Sequence, residues 1–78
     1  MARYHFHIIN DIEVADDEGQ DLANLALAHL KAIEAARDLG SSSVRLGKLN
    51  LKHRIEVKDP DGAVLLTVTF ADAIDVAH

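Results

Sequence analysis

The sequence contains no cysteine, few aromatic residues and fewer basic than acidic residues. The lack of cysteine excludes a disulfide framework and a thiolate zinc site, and it leaves the redox compartment open. Aromatic residues make up only 4% of the chain although hydrophobic residues make up 49%, so the apolar content lies mostly in alanine, leucine, valine and isoleucine. In a chain of 78 residues, this composition predicts one small folded domain over residues 1–78 with a thin core.

Basic charge is scarce, with 8 lysine and arginine residues against 13 acidic residues and a formal net charge of −5. A nucleic-acid partner is therefore not expected, because nonspecific affinity for phosphate groups comes chiefly from clustered lysine and arginine. The first residues, Met1 to His5, include one basic residue and no long apolar run, which is typical of neither a signal peptide nor a membrane anchor. We expect a cytoplasmic protein with no membrane partner.

The first residues also alternate in polarity, which predicts a half-buried strand over Arg3–Ile9. One face carries Tyr4, Phe6 and Ile8, and the other carries Arg3, His5, His7 and Ile9. Asn10-Asp11 tolerates left-handed backbone angles, and Ile12 and Val14 resume the alternation. The pattern predicts a first hairpin.

A helix is the clearest element of the pattern. Asp21 is the expected N-cap, accepting from the amides of Ala23 or Asn24. The apolar face recurs at three- and four-residue spacing, and it comprises Leu22, Leu25, Ala26, His29, Ile33 and Ala36. Gly40 could end the helix, or the helix could continue through Ser41–Ser43 until Gly47. We expect His29 to be partly buried on the apolar face, with a structural role.

A second hairpin follows the helix. Arg54–Lys58 and Val64–Phe70 alternate as strands, and Asp59-Pro60-Asp61-Gly62 between them has the residues of a tight turn. Together the elements predict an α+β fold, a two-layer β-β-α-β-β domain in which antiparallel hairpins pack on one amphipathic helix. The remaining Ala71–His78 stretch is expected to form a helical turn or a loose tail.

Several of these segments resemble a family of short bacterial proteins catalogued only as a domain of unknown function. The resemblance spans nearly the whole chain and is carried by Arg3-Tyr4-His5-Phe6-His7, Asp16-Asp17-Glu18-Gly19, Ala35-Ala36-Arg37, Ile55-Glu56-Val57, Asp59 with Asp61 and Gly62, Leu65–Val68 and Phe70–Ala73. It implies bacterial origin and a stand-alone domain. It implies no activity and no functional residues.

His5 and His7 are the first candidate ligands. Residues two apart on a strand project from the same face about 6 to 7 Å apart, which is near enough to share a metal ion. His53, just before the predicted third strand, is a third candidate, since zinc sites commonly use three or four ligands. The alternative, which we favour, is that His5 and His7 are ordinary polar residues on the open face of the sheet.

The acidic run Asp16-Asp17-Glu18 offers oxygen atoms for a cation but lacks the ligand spacing and distal glutamate of an EF-hand loop. We favour an electrostatic role instead, in which these groups interact with the positive N-terminus of the helix.

No catalytic signature is present. Turn chemistry explains Asp59 and Asp61, Asp72 and Asp75 lie in the tail, and the serine run lacks a nucleophile elbow. We therefore predict a non-enzymatic interaction module, acting as a homo-oligomer or an accessory subunit, with a protein partner and no cofactor. The alternative function is metal or small-ligand binding through His5, His7 and His53.

Overall fold

The computed structural model describes residues 2–10 and 13–74 of the chain. Within these residues the backbone forms five strands and two helices. They are β1 (Ala2–Ile9), β2 (Glu13–Val14), β3 (Gln20–Leu22), α1 (Leu25–Arg45), β4 (Arg54–Lys58), β5 (Val64–Thr69) and α2 (Phe70–Ala73). The α+β class is confirmed. β3 is an additional strand that the predicted β-β-α-β-β order does not contain.

The strands form one antiparallel sheet with the order β2-β1-β4-β5, and β3 pairs with the same side of β1 as β2 does. In the centre, β1 and β4 pair from His5 with Lys58 to Ile9 with Arg54. This register puts Phe6, Ile8, Ile55 and Val57 on one face, and it puts the histidine and charged residues of the two strands, together with Ile9, on the other. The alternation predicted for β1 and β4 therefore sets both the core face and the open face of the sheet.

Both predicted hairpins are present. In the first, Ile8 pairs with Val14 and Ile9 with Glu13. Asp11 of the predicted turn and Ile12 of the predicted returning strand lie outside the described residues. In the second, one carboxylate oxygen of Asp59 accepts from the amides of Asp61 and Ala63, each at 2.9 Å. Local turn chemistry thus fixes this connection as predicted.

The helix α1 begins at Leu25, so the prediction of an N-cap at Asp21 is wrong. Asp21 belongs to β3, which pairs with the beginning of β1, and the N-cap is Asn24, whose side chain accepts from the amide of Leu27 at 2.9 Å. At its other end the helix passes through Gly40 and the serines to Arg45. Of the two predicted ends, the one at Gly47 is nearer the structure.

The buried face of the helix is a stripe of small residues at four-residue spacing, which comprises Ala28, Ala32, Ala36 and Gly40. At the end of this stripe, Gly40 faces Ile74 and Leu49. The predicted apolar face is wrong in part, because Leu25, Ala26 and His29 are exposed. Small side chains let the helix backbone approach the sheet closely, and the bulk of the core comes from Ile55, Val57, Val68 and Phe70 on the strands and α2.

The short helix α2 extends the core beyond β5. Thr69 and Asp72 form a capping box around its first turn, and Arg37 of α1 donates to the carbonyl oxygen of Ala73 at 2.8 Å. The predicted helical turn is thus present in Phe70–Ala73, and residues 75–78 of the predicted tail, Asp75 among them, lie outside the described residues. Within residues 2–10 and 13–74, no helix combines the length and the apolar character needed to span a membrane.

Candidate functional site

His5 and His7 lie together on the open face of the sheet, opposite Lys58 and Glu56 of β4. Both histidines line a depression of about 290 Å³ between β1 and the β4–β5 turn. The other residues lining this depression are Asp16, Asp17, Lys58, Asp59, Pro60 and Gly62. The structure therefore brings two of the three predicted ligands to one concave surface.

The two histidine rings differ in their hydrogen bonding. The Nδ1 atom of His5 lies 2.8 Å from the carbonyl oxygen of Asp16. A carbonyl oxygen can only accept, so this Nδ1 atom carries a proton and donates, which leaves Nε2 as the ring nitrogen that faces a ligand. The Nδ1 atom of His7 is buried and has no hydrogen-bond partner among the described residues.

Asp16 fixes the wall of the depression beside His5. Its carboxylate accepts from the amide of Phe6 at 3.0 Å and from the amide of Gly19 at 3.1 Å. Partial burial raises the pKa of the Asp16 carboxyl, but these amides, the nearby His5 and the amide of Glu18 outweigh burial and hold the pKa below its usual value. Asp16 is therefore an ionised structural acceptor.

The predicted role of the acidic run in stabilising the N-terminus of the helix is wrong, because β3 separates the run from α1. Residues 15–19 instead bridge the gap between β2 and β3 on the outer side of β1. At the end of this bridge Gly19 has φ +73, and a Cβ atom there would lie 2.9 Å from the carbonyl oxygen of Tyr4. The Asp16–Gly19 motif is thus a connection that rests on the edge of β1.

Charged side chains continue across the open face of β4. Glu56 lies 3.3 Å from the guanidinium of Arg54 and 3.9 Å from the ammonium group of Lys58. These ion pairs are partly exposed, so they contribute little to stability. They also neutralise much of the charge beside the histidines.

His53 lies apart from the other two histidines. Its ring meets the ring of Phe70 edge to face with centroids 5.6 Å apart, and it lines a second depression of about 230 Å³ with Ser43, Leu46, Lys48 and Asn50. Within residues 2–10 and 13–74, no group of three or more histidine, cysteine, aspartate or glutamate residues is placed to hold a metal ion. The structure thus assembles a histidine pair and does not add His53 to it.

The candidate residues of the sequence did not include the edge strand β5. Its six residues, Val64 to Thr69, carry no charge, and Val64 and Leu65 are 50% and 40% exposed. The signal was available in the sequence, because a strand without charged residues at the edge of a sheet is open to pairing with another chain. What the sequence lacked was the strand order that puts β5 at the edge.

The model of a family described as a domain of unknown function, DUF6894, matches residues 3–71, from β1 to the beginning of α2. No curated protein and no solved structure matches the chain.

Proposed function

The chain belongs to the DUF6894 family of domains of unknown function, and we propose that it acts as a small non-enzymatic protein-interaction module, either as a homo-oligomer or as an accessory subunit. The observation that carries this proposal is the outer edge of β5, which has no charged residue and pairs with no other strand of residues 2–10 and 13–74. A cytoplasmic location and a bacterial origin remain predictions from the sequence.

The direction of the backbone amides identifies the free groups on this edge. The amide of Phe70 donates to the carbonyl oxygen of His53, and the amide of Thr69 donates to Asp72 instead. Because amides along a strand alternate in direction, the amide of Val68 points toward β4 and the amide of Thr67 points away from it. Thr67 therefore offers its amide and carbonyl groups to an added strand.

The two edges of the sheet differ in how well they are protected against pairing with a strand of another chain. On the outer side of β1, β2 and β3 cover both ends, and the Asp16 carboxylate occupies the amide of Phe6 between them. On β5, a bulge at the first residues is the one irregularity, and neither lysine nor proline interrupts the strand. Charges, prolines and bulges are the usual protection of edge strands, so β5 is the edge suited to strand addition.

The size of the core also supports association with a partner. The largest fully buried side chains are those of Phe70, Ile55, Val57 and Val68, and the helix adds only alanine and glycine to its buried face. A domain this small buries a limited share of its apolar surface by itself. Pairing at β5 would cover Val64 and Leu65 and extend the burial.

The proposal is tested with the variant Thr67→Pro. Proline removes the outward amide and is tolerated on an edge strand whose N–H faces solvent, whereas Thr67→Val keeps the amide and serves as the matched control. The assay is light scattering coupled to size-exclusion chromatography on untagged protein over a wide concentration range, with circular dichroism to check the fold. In about 0.5 M sodium chloride, which screens attraction between charged side chains, we expect the wild type and Thr67→Val to form the same oligomer and Thr67→Pro to be monomeric.

If the wild type is monomeric, the accessory-subunit form of the proposal is tested by affinity capture with the same three chains. We expect a partner that Thr67→Val retains and Thr67→Pro loses. A monomeric wild type that captures no partner, or a partner that all three chains retain equally, would contradict the proposal.

A second candidate function is small-ligand or metal binding, favoured by the placement of His5 and His7 in one depression. With two protein ligands, a metal ion would need further ligands from the bound molecule or from water. We expect zinc to raise the melting temperature of the wild type and of His53→Ala but not of His5→Ala or His7→Ala. Equal responses in all four proteins would exclude the histidine pair as the site.

A further inference from the structure

The connection between α1 and β4 concentrates basic charge. Between Asp38 and Glu56 the sequence has no acidic residue, and half of the 8 lysine and arginine residues of the chain lie in residues 45–54. These residues are Arg45, Lys48, Lys52 and Arg54. Arg54 pairs with Glu56 at 3.3 Å, which leaves the other three to define what we call the basic end of the molecule. Two acidic residues of the described chain also approach this end: β2 brings Glu13, and α2 brings the exposed Asp72, since the amide of Ala71 donates to the carbonyl oxygen of Leu51.

The basic end also exposes apolar side chains. Leu46 directly follows α1 and is 87% exposed, and Val44 is 58% exposed. On the two sides of Lys48 lie shallow depressions of about 230 and 270 Å³. A leucine this exposed, among cations and beside concave surface, has the composition of a docking site.

The opposite end of the molecule is acidic. It comprises the exposed residues Asp17, Glu18 and Asp61 together with the half-buried Asp59, and we call it the acidic end. Two of these carboxylates, Asp17 and Asp59, line the depression of about 290 Å³, and Val64 directly after the β4–β5 turn is 50% exposed. Lys58, the lysine of that depression, is within 3.9 Å of Glu56. The acidic end therefore also combines charge with exposed apolar surface.

The two ends lie too far apart to neutralise each other within one chain. β4 begins at the basic end with Arg54 and leads to the acidic end after Lys58, and α1 spans the molecule in the same sense. A helix of 21 residues is about 31 Å long, and the longest dimension of the molecule is 39 Å. Screening by physiological salt acts over about 8 Å, so the two ends of one chain do not neutralise one another.

From this charge complementarity we propose that the basic end of one copy docks on the acidic end of a second copy, so that the chain associates head to tail. The cations of Lys48 and Lys52 meet the carboxylates of Asp17 and Asp61, and Leu46 is covered by the apolar surface around Val64. Such an interface joins two different patches, so each added copy leaves one free end and the assembly grows into a ring or a filament.

This inference rests on the proposed function, because both describe association with another protein chain. The contact surfaces differ, since one is the edge of β5 and the other consists of the two charged ends. The edge of β5 pairs through backbone groups and is indifferent to salt, whereas the two ends attract through side-chain charges and weaken with salt. The variant Thr67→Pro removes the first contact and leaves the second.

The test uses two charge-reversal variants of the full chain, each of which also carries Thr67→Pro so that pairing at β5 does not contribute. The first, Lys48→Glu with Lys52→Glu, reverses the basic end, and the second, Asp17→Lys with Asp61→Lys, reverses the acidic end. Asp59 is left unchanged because its carboxylate accepts from the turn amides. All of the changed side chains are exposed, and circular dichroism checks that each variant folds.

Sedimentation velocity at low salt measures the assembly. We expect the wild type to form concentration-dependent oligomers, and Thr67→Pro to retain this salt-sensitive association. Each charge-reversal variant alone should be monomeric, because one of its ends repels the other. An equimolar mixture of the two variants should recover the salt-sensitive assembly, because the intact ends are complementary and the two reversed ends are complementary as well.

Two further measurements define the interface. At about 0.5 M sodium chloride, where the screening length falls to about 4 Å, the assembly formed by Thr67→Pro should dissociate. Leu46→Ser should weaken association about tenfold, by the loss of one buried leucine side chain. Exposed Leu30→Ser on α1, which lies outside both ends, should leave it unchanged.

Three results would overturn the inference. The first is a wild type that stays monomeric at low salt. Binding of such a monomer to vesicles of anionic phospholipid would assign the basic end to a membrane surface instead. The second is a mixture of the two variants that does not assemble. The third is loss of all association in Thr67→Pro, which would assign self-association to β5 alone and leave the proposed function intact.

Discussion

At the scale of single residues, Asp16 takes the place of a missing strand residue. Tyr4 of β1 pairs with Gln20 and Ile8 pairs with Val14, so the amide of Phe6 lies between β3 and β2 without a backbone partner from either. One oxygen of the Asp16 carboxylate accepts from that amide, and the other holds the amide of Gly19. A single side chain thus satisfies the edge of β1 where the neighbouring strand is interrupted.

The ionised Asp16 carboxylate predicts a pH-dependent stability. Its pKa is lowered in the folded state, so its contribution is present above the unfolded pKa of about 4 and is lost as pH falls through the folded value. We expect Asp16→Asn to destabilise the fold by about 1 kcal/mol at neutral pH, since solvent screens part of the interaction.

Urea unfolding at several pH values measures this contribution, and the exposed neighbour Asp17→Asn is the control. The difference between wild type and Asp16→Asn should shrink below about pH 4. A difference that stays constant down to about pH 2 would show that the charge of Asp16 is not the cause.

Replacing a glycine can cost stability through backbone strain and through steric contact of the added Cβ atom, and Gly19 and Gly62 differ in the second. Gly19 has φ +73 and Gly62 has φ +90, so alanine is strained at both, but only at Gly19 would its Cβ atom meet neighbouring atoms, the nearest at 2.9 Å. We expect Gly62→Ala to cost about 1 kcal/mol and Gly19→Ala about 2 to 3 kcal/mol, measured by urea unfolding. Equal losses would contradict the close packing of Gly19 on β1.

At the scale of elements, the beginning of α1 gives the clearest contrast between local pattern and structure. Asn24 caps the helix, and Asp21 forms an exposed ion pair with Arg3 at 3.2 Å. We expect Asn24→Ala to lower the free energy of unfolding by about 1 kcal/mol and Asp21→Ala by about 0.5 kcal/mol or less. Thermal unfolding of both variants measures the difference, and a larger loss for Asp21→Ala would restore Asp21 as the cap.

The sequence predicted the elements that local chemistry determines. The turn at Asp59 and the alternation of β1 and β4 follow from neighbouring residues, and both are confirmed. β3 was not predicted because its three residues are held by pairing with β1, which is distant in sequence. The buried face of α1 was predicted only in part. A prediction based on large apolar side chains such as leucine misses a stripe of alanines, which is buried because the helix lies close to the sheet.

The candidate site divides in the same way. The shared face of His5 and His7 follows from strand geometry, and the structure puts both in one depression. The position of His53 depends on how α2 returns to the beginning of β4, which brings Phe70 against its ring. That long-range contact carries no local sequence signal.

At the scale of the whole molecule, the few large buried side chains carry most of the stability. Phe70 is 1% exposed and joins β5 to α2 in the core. Truncation of a buried aromatic costs about 3 to 5 kcal/mol, which approaches the entire stability expected of a small domain. We expect Phe70→Ala to be largely unfolded by circular dichroism at 25 °C, whereas Leu65→Ala at an exposed position should remain folded. A cooperative thermal transition in Phe70→Ala would show that the core is larger than this small set.

In the alanine and glycine stripe of α1, substitution by a larger residue should destabilise the fold more than truncation does. Most buried positions suffer from truncation, but Ala28, Ala32 and Ala36 have almost nothing to truncate and sit in direct contact with the sheet. Gly40 faces Ile74 and Leu49 instead, and an added Cβ atom would lie 2.6 Å from Cδ1 of Ile74, the end of a flexible side chain that can shift. In a library of all single substitutions selected for folding, the alanine positions should accept only the smallest residues, because the short distance between the helix and the sheet limits the volume of the side chain.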